Sequence, residues 1–218
     1  MLELRTDAQP TALGTRIGGF LLQERLGAGG MAEVFLAARA GPEQTEFAAL
    51  KRLLPHLTFD AEFVRMFLAE VKLTAELDHP GIARVLEYGT GEGGHFFAME
   101  YVHGPDLSQL LRAAGEQDVR PPLDAAVSIV LSVARGLHHL HEWPGKHGGA
   151  PCFVHRDVSP SNVLVGYDGT IKVTDFGVAS ETGTWLDGDN GLGNPIEVTA
   201  GTNGALALGF SAGSFEFG

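Results

Sequence analysis

The run Val154-His155-Arg156-Asp157-Val158-Ser159-Pro160-Ser161-Asn162-Val163-Leu164-Val165-Gly166-Tyr167-Asp168-Gly169-Thr170-Ile171-Lys172-Val173-Thr174-Asp175-Phe176-Gly177 sets three acid or amide side chains, Asp157, Asn162 and Asp175, at turn positions between short β-like segments. Val163-Leu164-Val165 and Ile171-Lys172-Val173 flank Gly166-Tyr167-Asp168-Gly169, whose Asp-Gly pair is a strong hairpin signal. Such a hairpin brings Asn162 and Asp175 to neighbouring strand ends. Two oxygen ligands there suit a hard cation that keeps waters and phosphate oxygens, as Mg²⁺ does. Asp157, a few residues upstream, is left free to act as a base.

The same residues carry a family resemblance. His155-Arg156-Asp157, with Asn162 five positions after the Asp and Asp175-Phe176-Gly177 beyond the hairpin, resembles the catalytic loop and metal-binding motif of eukaryotic-type protein kinases. Each tripeptide alone is a weak signal, so the upstream chain has to supply the remaining parts.

Residues 17–26 are strand-like, break at Gly27-Ala28-Gly29-Gly30, and resume at Val34-Phe35-Leu36. Glycines between two strands let backbone N–H groups approach an anion and tolerate positive φ. By resemblance, Gly27 to Val34 is the phosphate-covering loop, with Ala32 in the third glycine position. Leu26, Gly27, Ala28, Gly29, Gly30, Met31, Ala32, Glu33 and Val34 are therefore nucleotide-contact candidates, Gly30-Met31 in the manner of the bacterial branch. Taken alone, the stretch also fits a tight hairpin.

Phe47-Ala48-Ala49-Leu50-Lys51-Arg52-Leu53 reads as a mostly apolar strand carrying one lysine, and its resemblance to the kinase Val-Ala-Ile-Lys strand makes Lys51 the candidate for holding the α- and β-phosphates. An exposed Lys51-Arg52 basic pair is the alternative, and a buried partner decides between them. In a helix over residues 60–77, Phe63, Met66, Phe67, Leu73 and Leu77 lie within roughly 60° of Glu70 around the axis. Glu70 thus sits mid-face among apolar residues, where a carboxylate is costly unless paired. Lys51 is the cation the facing sheet offers, unless Glu70 snorkels at the edge of the face. Pro80 ends the helix.

Two more strands, around residues 83–88 and 96–101, give five strands and one helix. By resemblance, Met99-Glu100-Tyr101-Val102 is the hinge, with backbone groups of Glu100 and Val102 facing an adenine edge and Met99 limiting the pocket. A short helix begins at Leu107, and a longer one spans residues 123–141, with Val127, Val130, Leu131, Ala134, Leu137 and Leu140 at core spacing. His138 and His141 lack the carboxylate or cysteine company of a metal site.

The net charge of −12 argues against a nucleic-acid partner, and 44% hydrophobic content supports a packed core. Cys152, the one cysteine, cannot form an internal disulfide, and no stretch approaches the roughly 18 apolar residues of a membrane span. A cytoplasmic setting is expected.

Two features depart from the family pattern. Ser159 stands two residues after Asp157, where serine/threonine kinases carry a lysine that contacts the transferred group; Pro160 keeps the serine/threonine framework. Beyond residue 180 no activation segment, Ala-Pro-Glu element or further helices are recognisable in a Gly-, Thr- and Asn-rich tail.

The resemblance implies an α+β, protein-kinase-like fold: a five-stranded antiparallel N-lobe with its C-helix, plus an incomplete helical C-lobe. The expected organisation is a flexible lead-in (1–16), N-lobe (17–102), partial C-lobe (103–180) and disordered tail (181–218). It further implies a bacterial serine/threonine protein kinase acting on a protein substrate with ATP and Mg²⁺. Asp157, Lys51 and Glu70 are its catalytic candidates and Asn162 and Asp175 its metal ligands. The alternative is a nucleotide-binding scaffold without turnover.

Overall fold

The structure, a computed structural model, describes residues 13–41, 45–91, 93–143 and 153–176, and strands at 180–181, 198–200 and 206–208. Strands β1 (Arg16–Ile17), β2 (Phe20–Ala28), β3 (Ala32–Ala40), β4 (Thr45–Leu53), β5 (Val85–Gly91) and β6 (Gly94–Glu100) form one antiparallel sheet in the order β1-β2-β3-β4-β6-β5. Period-two alternation gives each strand two apolar faces to bury. Phe35, Ala37, Ala48 and Leu50 pack with Ile17, Phe20, Leu22 and Phe96. Ala32, Ala49, Leu53, Phe97 and Met99 pack with Phe67 and Val71 of helix α1 (Ala61–Thr74).

The five expected strands are present with a two-residue strand added, because the expected 17–26 strand is broken by a turn at Gly18-Gly19. Gly18 has φ +59°, and a Cβ there would stand 2.5 Å from both Glu87 Oε1 and the Phe96 ring, so the turn requires glycine. β5 and β6 also run further into their turn than expected, leaving positive φ to Gly93 and Gly94.

Asp60 caps α1 by accepting from Glu62 N at 2.9 Å. The chain then passes through residues 101–106 to α2 (Leu107–Glu116), capped by Asp106, and α3 (Leu123–Glu142). β7 (Phe153–Val154), a 3₁₀ turn (Pro160–Asn162) and the hairpin β8 (Val163–Val165) and β9 (Ile171–Val173) follow. The hairpin closes as expected: Gly169 N donates to Gly166 O at 3.0 Å with Gly169 at φ +87°.

A third cluster, Leu73, Leu77, Ile82, Leu140, Val173 and Phe176, joins the end of α1 and its following loop to α3 and β9. Only part of α3 takes part. Val127, Val130 and Leu131 have the spacing of a core helix and are 56%, 48% and 47% exposed. The C-terminal half of α3 reaches the loop after α1 through Gly136, and no described residue covers its N-terminal half.

β10 (Ser180–Glu181) pairs with β7. In a separate unit from residue 182 onward, β11 (Val198–Ala200) pairs with β12 (Leu206–Leu208), where the sequence reading expects no order. Residues 1–12 of the expected 1–16 lead-in, Gly177, Cys152 and the rest of the tail lie outside the described residues, while Arg16 at its end is already in β1. Among the described residues, no helix is long and apolar enough to cross a membrane.

Candidate active site

Lys51 lies on β4, whose register sets it opposite Val34 of β3 and Phe97 of β6. Its ammonium donates to Glu70 Oε1 at 2.7 Å and to Asp175 Oδ1 at 3.0 Å. The exposed basic pair is thereby excluded: Lys51 is 8% and Glu70 3% exposed. Arg52 turns to the other face and donates to Glu33 Oε1 at 2.5 Å. Burial works against the Lys51 charge, but the Glu70 and Asp175 carboxylates outweigh it and hold its pKa above the ordinary lysine value. Burial pushes the Glu70 carboxyl up to about 7, the Lys51 ammonium opposing and the Asp175 charge adding. Glu70 Oε2 is buried without a hydrogen-bond partner.

Asn162 and Asp175 are brought together as the hairpin logic requires, since Thr174 N donates to Asn162 O at 3.0 Å. Asn162 Nδ2 in turn donates to Asp157 Oδ2 at 3.0 Å and to Asp157 O at 2.9 Å. Asp157 and Asn162 are thus joined side chain to side chain, and Asp175 directly follows the Thr174 backbone that bonds Asn162. Asp175 and Arg156 both have φ +65°, a conformation that side chains other than glycine adopt only where surrounding contacts enforce it.

His155 is a participant the sequence reading left without a role. It is 1% exposed; its Nε2 meets Thr174 O at 3.1 Å, its Nδ1 accepts from Asp157 N at 3.3 Å, and its ring lies 4.7 Å from that of Phe176. Burial lowers its pKa, which favours the neutral ring with the proton on Nε2. It ties the catalytic loop to the segment carrying Asp175. Burial of a histidine beside Asp157 has no local pattern that sequence could reveal.

The glycine loop forms the β2–β3 turn, closed by Gly29 N donating to Ala32 O at 2.8 Å. None of Gly27, Gly29 and Gly30 has positive φ, so conformational freedom is not what requires them here. At Gly27 and Gly30 a Cβ would meet nothing within 4 Å, which leaves open space for a ligand to approach the backbone. Leu26, Gly27, Ala28, Gly29 and Gly30 are exposed, Met31 and Val34 partly so. Ala32 and Glu33 are buried, and Glu33 is engaged with Arg52 and with Arg25 at 3.7 Å, so these two offer backbone rather than side chain.

At the junction between the sheet and the helical part, Glu100 N already donates to Arg84 O at 2.8 Å. Val102 is 7% exposed, and no described residue supplies a hydrogen-bond partner to its backbone. Met99 is 7% exposed and accepts a hydrogen bond from Thr174 Oγ1 at 3.5 Å.

The donor set fits Mg²⁺. Asp175 and Asn162 offer hard oxygens, and among the described residues no cluster of three His, Cys, Asp or Glu could hold a metal alone. A divalent ion would have to complete its shell with phosphate oxygens and water, the habit of Mg²⁺. Lys51 at 3.0 Å from Asp175 occupies the position of a counter-charge.

An antiparallel lobe with a buried lysine–glutamate pair, packed on a helical part that carries Asp157, Asn162 and Asp175, is the arrangement of a two-lobed kinase-like fold. The profile of the protein kinase domain matches residues 20–192, and the chain belongs to that family. The match runs past residue 180, where recognisable resemblance was expected to stop.

The tyrosine-protein kinase MasK of Myxococcus xanthus is 42% identical over 80% of this chain and 27% of its own length. The serine/threonine-protein kinase PknA of Mycobacterium tuberculosis is 37% identical over 76% of this chain and 36% of its own. The crystal structure of the Mycobacterium tuberculosis PknI kinase domain superposes with a TM-score of 0.60 at 34% identity, covering 78% of this chain and 64% of that one. The chain thus spans about a quarter to a third of the length of these curated relatives. Members of the family use ATP, usually with Mg²⁺.

Proposed function

We propose that this chain carries the nucleotide-binding and catalytic-loop parts of a protein serine/threonine kinase, which transfers the γ-phosphoryl of Mg-ATP to a protein hydroxyl. The observation that carries the reading is the convergence of Lys51, Glu70 and Asp175 within 3.0 Å of one ammonium, with Asp157 held by Asn162 on the adjoining turn. The adenine edge would pair with the vacant Val102 backbone and the Glu100 carbonyl. The phosphates would lie under the open backbone at Gly27 and Gly30, their inner oxygens on Lys51.

Asp175 and Asn162 would hold Mg²⁺, which when bound neutralises charge on the phosphates. Asp157 does the proton work: with Oδ2 fixed by Asn162, Oδ1 is left to orient the acceptor hydroxyl and take its proton. The hydroxyl oxygen bonds to the γ-phosphorus, the bond to the β–γ bridging oxygen breaks, and ADP leaves. His155 fixes the loop backbone beside Asp157 and stays neutral, so it neither competes for the proton nor repels Lys51.

Ser159 favours a second acceptor chemistry. Its hydroxyl pairs with Ser161 Oγ at 2.8 Å, so this position offers no cation to the transferred group. The relative at 42% identity that lacks the serine/threonine name is called a tyrosine-protein kinase. Radiolabel transfer to peptides bearing a single Ser, Thr or Tyr separates the acceptors.

Asp157→Asn is expected to reduce transfer by about 10²-fold or more while leaving Mg-ATP affinity near wild type. Undiminished transfer by that variant would sink the base assignment. Wild-type binding without any transfer would favour the non-catalytic scaffold.

A further inference from the structure

Lys172 lies on β9, three residues before Asp175, and its side chain is 9% exposed. Its ammonium has three N–H donors, and each has an acceptor. It donates to Pro80 O at 3.0 Å and Ile82 O at 3.3 Å, both in the loop after α1, and pairs with Glu100 Oε2 at 2.9 Å. The same Glu100 oxygen lies 3.5 Å from Arg84 N, while Glu100 N donates to Arg84 O at 2.8 Å. One buried cation therefore joins the strand that leads into the metal-ligand candidate, the loop that follows the Glu70 helix, and the end of β6 where the chain crosses between lobes. An open pocket of about 300 Å³, lined by Asp78, His79, Arg84, Glu100 and Lys172 among others, lies at this junction.

The loop does not need Lys172 to dock on β9. Val173 N donates to Gly81 O at 2.8 Å, Ala83 N to Val173 O at 3.0 Å, and Ile82 is buried in the shared core. What Lys172 adds is the link between β9 and Glu100. The remote consequence falls on the crossing segment 100–102, whose Val102 backbone has no partner among the described residues.

We propose that Lys172 is a positioning residue for the nucleotide base: through Glu100 it fixes the crossing backbone at the height where a planar base can pair with it. The inference rests on the nucleotide-site reading given above. It assigns Lys172 no contact with phosphate or metal. A ligand that has the phosphates but no base is therefore insensitive to it.

The test uses the 218-residue chain and titrates two probes, Mg-ATP and Mg-tripolyphosphate, by calorimetry. Lys172→Met and Glu100→Gln should each weaken Mg-ATP binding by about tenfold, and the double variant by no more than either single one, as for two partners of one interaction. Lys172→Arg should recover most of the loss. Mg-tripolyphosphate affinity should stay within about twofold of wild type throughout. Melting of each unliganded variant controls for folding, and Glu100→Gln, at a side chain 37% exposed, carries the test if Lys172→Met does not fold.

Unchanged Mg-ATP affinity in both single variants overturns the proposal, and so does a parallel loss of tripolyphosphate binding. Failure of the wild type to bind Mg-ATP at all overturns the nucleotide-site reading with it, so the two failures are distinct.

Discussion

Glu70 carries the sharpest consequence at the scale of single residues. Its value in the folded chain, about 7, lies above its ordinary 4.5, because burial penalises the carboxylate more than Lys51 supports it. The folded chain therefore holds the Glu70 proton to a higher pH than the unfolded chain does. Glu70 contributes its stability in full below the ordinary value and loses it as the pH rises through about 7. Glu70→Gln is always neutral, so its melting temperature should gain on wild type as the pH is raised from about 5 to about 8. A difference that stays flat over that interval would mean the carboxyl titrates at its ordinary value. The pairing itself was legible because helical periodicity puts one acid in the middle of an apolar face, where only a cation can accompany it. The third member was not: Asp175 meets Lys51 from 124 positions away, with no local pattern between them.

Among the elements, α2 and α3 offer a contrast in which propensity and packing give opposite signs. Both contain a glycine, and replacing a helical glycine with alanine ordinarily stabilises by roughly 0.5–1 kcal/mol. At Gly115 in α2 an added Cβ meets nothing within 4 Å, so Gly115→Ala should gain that amount in chemical denaturation. At Gly136 in α3 the Cβ would stand 3.0 Å from Gly81 O and 3.5 Å from Ile82 Cγ1. That contact is with backbone, which cannot swing aside, so Gly136→Ala should destabilise despite its better propensity. Equal gains at both sites would show that α3 does not press on the loop after α1. Strand and helix existence was readable from alternation and period, and the β8–β9 turn from Asp168-Gly169. The break at Gly18-Gly19 was not, because what demands it is the approach of Glu87 and Phe96 from a distant hairpin.

At the scale of the whole molecule, a net charge of −12 opposes an apolar surface on α3. Leu123, Val127, Val130 and Leu131 are 79%, 56%, 48% and 47% exposed, although their spacing is that of a core helix. Periodicity reports that a face is apolar and cannot report what covers it, which is why core spacing at Val127, Val130 and Leu131 is compatible with exposure. Such a face favours association, while like charge keeps copies apart until salt screens it; the screening length falls from about 30 Å at 0.01 M to about 3 Å at 1 M. Wild-type chain should therefore self-associate more strongly as ionic strength rises, as read by sedimentation velocity. Leu123→Gln with Val127→Gln should abolish the salt-induced association and shift the unfolding free energy by no more than about 0.5 kcal/mol, as for exposed sites. A loss of several kcal/mol in that double variant would instead place the two side chains inside a packed core, and association that persists unchanged would move the sticky surface elsewhere on the molecule.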